Sequence, residues 1–220
     1  MSIQKVAIIG GKGTALNIAE AITTSSTLSR SNLEVAGFVN DFPDISKDLA
    51  GYKVISSIGN LDEFLRKEKA MKLIFALYKP ELIEQRYKLL LSMNIPLQRF
   101  VTFIHPTAYV SPSAILEPGV IILANCTIQA QVRVGRNSII NSNCVLEHNC
   151  EVGSGSFISA GCTVGSYTFL SENVFIGMNT VLRGNLTLEK GTFLGMGSNL
   201  TKSVATKNTL LYGNPAREIR

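Results

Sequence analysis

Only two histidines occur in the 220 residues, His105 and His148, so any imidazole chemistry rests on one of them. An imidazole titrates near neutrality, at about 6.5, and a positioned general base of this kind is typically worth about 10² to 10⁴ in rate. His105 precedes Pro106 in a turn-like stretch and reads as structural. His148 lies within Leu146-Glu-His-Asn-Cys150 and is the candidate base. The four cysteines, Cys126, Cys144, Cys150 and Cys162, form no Cys-x-x-Cys pair and read as reduced packing residues, with no metal implied. A glycine-rich turn, Gly10-Gly-Lys-Gly-Thr-Ala15, invites a dinucleotide reading. It fails the Gly-x-Gly-x-x-Gly pattern at Leu16 and lacks the Gly-Lys-Ser/Thr of a P-loop.

Residues 1–102 alternate β-rich runs with helical patterns, the grammar of βαβ units around a parallel sheet. Strands are expected at Lys5–Gly10, Leu33–Val39 and Leu73–Leu77, and helices at Ala15–Thr23, Leu61–Lys69 and Glu81–Met93. Residues 103–220 obey a different rule. Every sixth residue from Val110 to Leu200 is aliphatic, sixteen in succession, and four residues after each comes a mostly small one that includes all four cysteines. Three residues after each comes a corner position, Gly or Asn in twelve of the sixteen. Those residues tolerate the left-handed backbone, so each hexad reads as a short strand closed by a corner with positive φ. Three hexads make a coil of 18 residues in a triangular solenoid, and His148 falls on an outward corner. A solenoid leaves sheet edges open at its ends, and the tail Leu210–Arg220 is one expected cover.

This period resembles that of the hexapeptide-repeat acyltransferases, and the left-handed parallel β-helix is what the resemblance implies. It narrows to the sialic acid O-acetyltransferase and nucleotide-amino-sugar N-acetyltransferase group, in which a Rossmann-like domain precedes the β-helix. The residues that carry it are Lys5-Val-Ala-Ile-Ile-Gly-Gly-Lys-Gly13, Val35-Ala-Gly-Phe-Val-Asn-Asp41, Ile104-His-Pro-Thr-Ala108, Leu146-Glu-His-Asn-Cys150 and Gly213-Asn-Pro-Ala216. The resemblance implies an acetyl-CoA-dependent N-acetyltransferase for a nucleotide-linked amino sugar, a precursor of a surface polysaccharide or glycan. His148 would be the base, and the Ser166 backbone N–H would stabilise the oxyanion one coil above. Phe157, Met178 and Met196, with Ser166, align with cofactor contacts. Lys202, Lys207, Arg217 and Arg220 are candidates for the cofactor phosphates. Lys12, Gly13, Thr14, Asn40 and Asp41 would hold the nucleotide. Homotrimers are implied, with sites between adjacent β-helices.

Several departures bear on this expectation. Relatives carry an acid after the base where this chain has Asn149, and Glu147 on the other side is an alternative orienting group. Relatives acting on nucleotide 4-amino sugars carry histidines where this chain has Phe157 and Thr14. O-acetylation of a sugar hydroxyl, as on sialic acid, and a non-catalytic binding protein are the alternative readings. The zinc carbonic anhydrases built on the same prism need three histidines, and the hexad segment offers His148 alone. About 100 residues ahead of the repeats are too few for a sugar nucleotidyltransferase domain.

Composition narrows the classes further. Hydrophobic residues make up 45% and charged ones 17%, which argues against disorder and charged coiled coils. The net charge of +5 is scattered rather than clustered, against nucleic acid as a partner. No apolar run reaches the roughly 18 residues of a membrane span. The short run Val6–Ile9 is no signal-peptide core, so a cytoplasmic chain is expected.

Overall fold

The computed structural model describes residues 3–28, 30–41 and 48–219. The chain folds as two compact units, Met1–Leu82 with Lys88–Val101, and Ile83–Tyr87 with Thr102–Arg220.

The first unit is built on a five-stranded sheet of order β3-β4-β2-β1-β5, formed by β1 (Gln4–Ile9), β2 (Leu33–Val39), β3 (Asp48–Leu49), β4 (Tyr52–Ser56) and β5 (Lys72–Phe75). Central β1 runs parallel to both β2 and β5, and its Val6–Ile9 are fully buried, as its unbroken apolar run requires. Helix α1 (Thr14–Thr27) starts where Gly13 takes φ 73° and buries Ala15, Ile18, Ala19 and Ile22, one face at helical spacing. Helix α2 (Leu61–Lys67) places Asp62 and Glu63 in its first turn and Arg66 and Lys67 in its last, each end matched to the helix dipole. The expected helix over Glu81–Met93 is a 3₁₀ turn at Pro80–Leu82 followed by α3 (Ile83–Ser92). The sequence reading missed β3 and β4, a hairpin closed by Ala50 and Gly51 at φ 52° and 86°, with β4 parallel to β2.

The second unit carries the predicted array. Sixteen two-residue strands run from β7 (Tyr109–Val110) to β22 (Asn199–Leu200), each pairing in parallel with the strand 18 residues away. They form three faces with strand orders that step by one coil, the stacking of a left-handed β-helix. The second residue of each strand points inward, and from Ile122 to Leu200 this row is buried almost completely. The left-handed backbone appears at fourteen of the sixteen predicted corners, and only Ser113 and Ser203, at the two ends, do not adopt it.

The small inward row explains the cysteines. The Cys126, Cys144, Cys150 and Cys162 thiols donate to carbonyl oxygens 15 residues ahead, at 2.9, 3.0, 3.1 and 3.0 Å. The hydroxyls of Ser138 and Thr180 make the same bond at 2.9 and 3.0 Å, so thiol and hydroxyl are interchangeable spacers with one donor each. All four cysteines are free. The flanking Cys126 and Cys162 thiols, together with burial, push the Cys144 thiol up, and burial does the same to Cys150.

The array extends beyond the predicted range at both ends. β6 (Phe103–Ile104) pairs with Ile121–Ile122 one coil on, so the parallel pairing begins six residues before Val110, with Phe103 buried and Ile104 exposed at that end. At the far end Leu194 pairs with Leu211, a step of 17, and β23 (Leu210–Tyr212) is followed by antiparallel β24 (Arg217–Glu218). Leu211 and Ala216 join the core there, so the tail closes that edge. Asn179, at φ 55°, tests the corner rule. Replacing it with valine should cost about 1–3 kcal/mol and lower Tm by several degrees, while glycine at the same position should leave the melting curve nearly unchanged.

Candidate functional site

His148 stands exposed on a corner between the strand Val145–Leu146 and the strand Glu151–Val152. Its backbone is held from the next coil, because the Tyr167 N–H donates to the His148 carbonyl at 3.2 Å. Its ring is held from two sides. Nδ1 lies 2.9 Å from Asn149 Oδ1, and the Tyr167 ring meets the imidazole edge-on at 5.2 Å between centroids. Asn149 in turn donates from Nδ2 to Gln131 Oε1 at 2.6 Å. With Oδ1 accepting, Nδ1 carries the proton and Nε2 presents its lone pair outward. The orienting group on this ring is therefore Asn149 rather than Glu147.

Gln131 and Tyr167 are absent from the sequence reading, although simple arithmetic finds them. They lie 18 residues either side of Asn149, and all three are left-handed corner residues, at φ 59°, 61° and 57°. On the adjoining column, Ser166 stands one coil beyond His148, then Gly184, then Lys202 two residues after inward Leu200. The Ser166 N–H makes no hydrogen bond among the described residues, so a donor is available beside the base. A Cβ on Gly184 would stand 2.8 Å from the Ser166 carbonyl oxygen, so the close stacking of coils accounts for that glycine.

Apart from Ser166, the expected cofactor contacts Phe157, Met178 and Met196 lie elsewhere on the prism. Phe157 faces outward on the eight-stranded face, stacked on Phe175 at 5.7 Å, and a ladder continues through Phe193 to Tyr212. Met178 and Met196, 51% and 70% exposed, stand one above the other at the corner where that face meets the six-stranded one. Within one chain, a whole prism side separates them from the His148 corner, and six residues of extended chain span at most about 20 Å. Lys202, Lys207 and Arg217 are exposed near the end of the array, and Arg220 lies outside the described residues.

His105 behaves as a turn residue. Its Nδ1 accepts from the Thr107 N–H at 3.2 Å, Thr107 Oγ1 accepts from the Asn125 N–H at 3.0 Å, and burial pushes the imidazole below its usual range.

In the first unit the turn after β1 lies at the C-terminal edge of the parallel sheet, where open α/β sheets place ligands. Gly10 N–H donates to Val39 O at 3.1 Å and Ala76 N–H to Ile9 O at 2.9 Å, drawing the ends of three strands together. A Cβ on Gly10 would stand 2.7 Å from that of Ala15, so the chain turns into the helix only with glycine there. Buried Asn40 holds the turn, donating from Nδ2 to Gly10 O at 3.0 Å, and Asp41 accepts from the Ile58 N–H at 2.8 Å. Lys12 and Gly13 are exposed, and Thr14 is half-buried. Of the five expected nucleotide contacts, Asn40 is thus already engaged in the fold. Asn40→Ala should cost about 1–3 kcal/mol by removing that buried donor, read as a lower midpoint in urea unfolding.

Among the described residues, no group of three or more His, Cys, Asp and Glu side chains could hold a metal ion. No helix among them is long and apolar enough to cross a membrane.

No curated protein matches the sequence. Solved structures match it along its whole length. The acetyltransferase domain of PglB from Neisseria gonorrhoeae is 25% identical at a TM-score of 0.83, covering 98% of this chain and 100% of that one. PerB from Caulobacter crescentus, solved with CoA and GDP-perosamine, is 26% identical at 0.72, covering 100% and 99%. WeeI from Acinetobacter baumannii, 20% identical at 0.79 and covering 100% of both chains, shares the fold. The sequence resemblance to hexapeptide-repeat sugar acetyltransferases therefore holds over both units. A family model described as the GMPPB C-terminal domain matches residues 100–210, half of the chain and the whole hexad array, and the protein belongs to that family.

Proposed function

We propose that the protein is an acetyl-CoA-dependent N-acetyltransferase that acts on a nucleotide-linked amino sugar, with His148 as general base. The observation that carries this is the His148 corner, an exposed imidazole whose Nδ1 is held by Asn149 at 2.9 Å and whose ring meets that of Tyr167, which leaves Nε2 for the base. The likeness to PerB, solved with CoA and GDP-perosamine, and to the PglB acetyltransferase domain supports the donor and the acceptor class. A histidine-to-asparagine variant of perosamine N-acetyltransferase, 26% identical to this chain, was also solved with CoA and GDP-perosamine.

Acetyl-CoA supplies a thioester whose carbon the acceptor amine attacks. His148 Nε2 takes the amine proton as the new C–N bond forms and returns a proton to the departing thiolate. The Ser166 N–H donates to the oxygen that gains charge during the attack. Exposed Met178 and Met196 and the half-buried Phe157 offer an apolar wall suited to a pantetheine arm. Because these lie on a different side of the prism from His148, a complete site takes the His148 edge of one copy and the methionine edge of another, in a homotrimer. The first unit, on this reading a Rossmann-like domain over residues 1–102, takes the nucleotide at Lys12, Gly13, Thr14 and Asp41. A cytoplasmic location fits a donor made inside the cell.

The test is thiol release from acetyl-CoA with a panel of GDP-, UDP- and dTDP-linked amino sugars, alongside neutral nucleotide sugars and sialic acid. Release with an amino sugar alone is expected, and His148→Ala should lower turnover by roughly a hundredfold with Tm nearly unchanged, since an exposed corner side chain contributes little to packing. Near-normal turnover in that variant sinks the assignment.

A further inference from the structure

The group that orients His148 is an amide, and that raises a question a carboxylate would not. Both oxygens of a carboxylate accept, so either can receive the Nδ1 proton. An amide has one accepting end and one donating end, and the two are nearly the same shape. Turned one way, Asn149 presents Oδ1 and holds the proton on Nδ1, leaving Nε2 as the base. Turned the other way, it presents Nδ2, Nδ1 becomes the acceptor, and the proton moves to Nε2, where it blocks the lone pair. Something outside the pair must decide.

We infer that Gln131 is the positioning residue that makes this decision. Its Oε1 accepts from Asn149 Nδ2 at 2.6 Å, which leaves Oδ1 for His148 Nδ1 at 2.9 Å. The three residues form one chain of hydrogen bonds across two coils. The backbone sets the two corners one above the other, because the Asn149 N–H donates to Ala130 O at 3.0 Å and the Gln131 N–H to Ser113 Oγ at 3.1 Å, and Gln131 presents its accepting end to Asn149. Both corner residues hold left-handed backbones, at φ 59° for Gln131 and 61° for Asn149, so their side chains leave adjacent coils in the same direction. Gln131 touches no reacting atom and acts only through Asn149. The inference rests on His148 as the base, and it says which neighbour selects the tautomer that makes it one.

Substitutions at 131 that are purely accepting or purely donating separate the two amide settings. Gln131→Glu keeps an acceptor for Asn149 Nδ2, whereas Gln131→Lys offers only a donor and turns the amide over. Long-range ¹H–¹⁵N spectra of the histidine rings read the tautomer directly. With two histidines in the chain, His148→Ala assigns both. At about pH 9, above the ordinary imidazole range, His148 should carry its proton on Nδ1 in the parent and in Gln131→Glu, and on Nε2 in Gln131→Lys. Turnover of Gln131→Lys should fall roughly tenfold or more with the sugar KM within about threefold, the mark of a lost transition-state contribution. Adding Asn149→Asp to Gln131→Lys should restore turnover, because a carboxylate accepts from the imidazole and the ammonium at once.

An unchanged His148 tautomer in Gln131→Lys overturns the inference, as does a loss that Asn149→Asp leaves uncorrected. The proposed function is judged separately by His148→Ala. If that variant turns over normally, the reading of the base falls, while the spectra still decide whether Gln131 sets the ring.

Discussion

The left-handed corner is the constraint on which the second unit depends. A chain that turns every six residues needs a sharp corner at each turn, and a residue at positive φ supplies it at fourteen of the sixteen. Asparagine and glycine meet that demand at most corners, and Gln131 and Tyr167 meet it at two others. Once the corners are set, strands 18 residues apart are brought into register. The inward rows then stack as aliphatic on aliphatic and small on small. The same corners project the residues between strand and turn out of the prism. His148 is exposed because it stands one residue before a left-handed Asn149, and the fold that buries Leu146 and Cys150 forces it outward.

That repetition explains why the array was legible from the sequence and where legibility stopped. Period six is a local signal, readable wherever each coil keeps its length. It missed β6 only because the series was begun at Val110, although Ile104 lies one hexad earlier. It failed after Leu200 for a physical reason, since the last turn is shortened, pairing Val204 with Leu188 at a step of 16 and Leu211 with Leu194 at a step of 17, and later positions fall out of phase. In the first unit, the two short strands around Ala50 and Gly51 carry no long apolar run, and their place beside β2 is set by pairing rather than by their own pattern.

The candidate site was legible as residue types and less so as an arrangement. His148 was reached from the scarcity of histidine and the corner register. Asn149 was named beside it, but Gln131 and Tyr167 were not, because a contact between coils joins residues that look remote along the chain. Counting by 18 would have found Gln131 and Tyr167, and would also have shown that Met178 and Met196 share a corner with each other and not with His148. Asn40 was read as a ligand contact, and its burial and its bond to Gly10 O give it a part in holding the turn as well.

A repeating scaffold also fixes distance along its axis. His148, Ser166 and Gly184 follow one another on a single edge, one per coil, so the spacing between any two is a multiple of the strand separation, about 4.8 Å, and Lys202 follows where the last turn shortens. Three coils carry the edge roughly 14 Å along the axis from the base, and exposed Lys202 follows inward Leu200 near that end. On the proposed reading, an extended donor lying along this edge meets a proton acceptor at its reactive end, a backbone N–H one step on, and a cation where negative charge would lie. No single residue in the column is unusual. On that reading their order on one edge makes them a site, and that order follows from an 18-residue coil that the corners maintain.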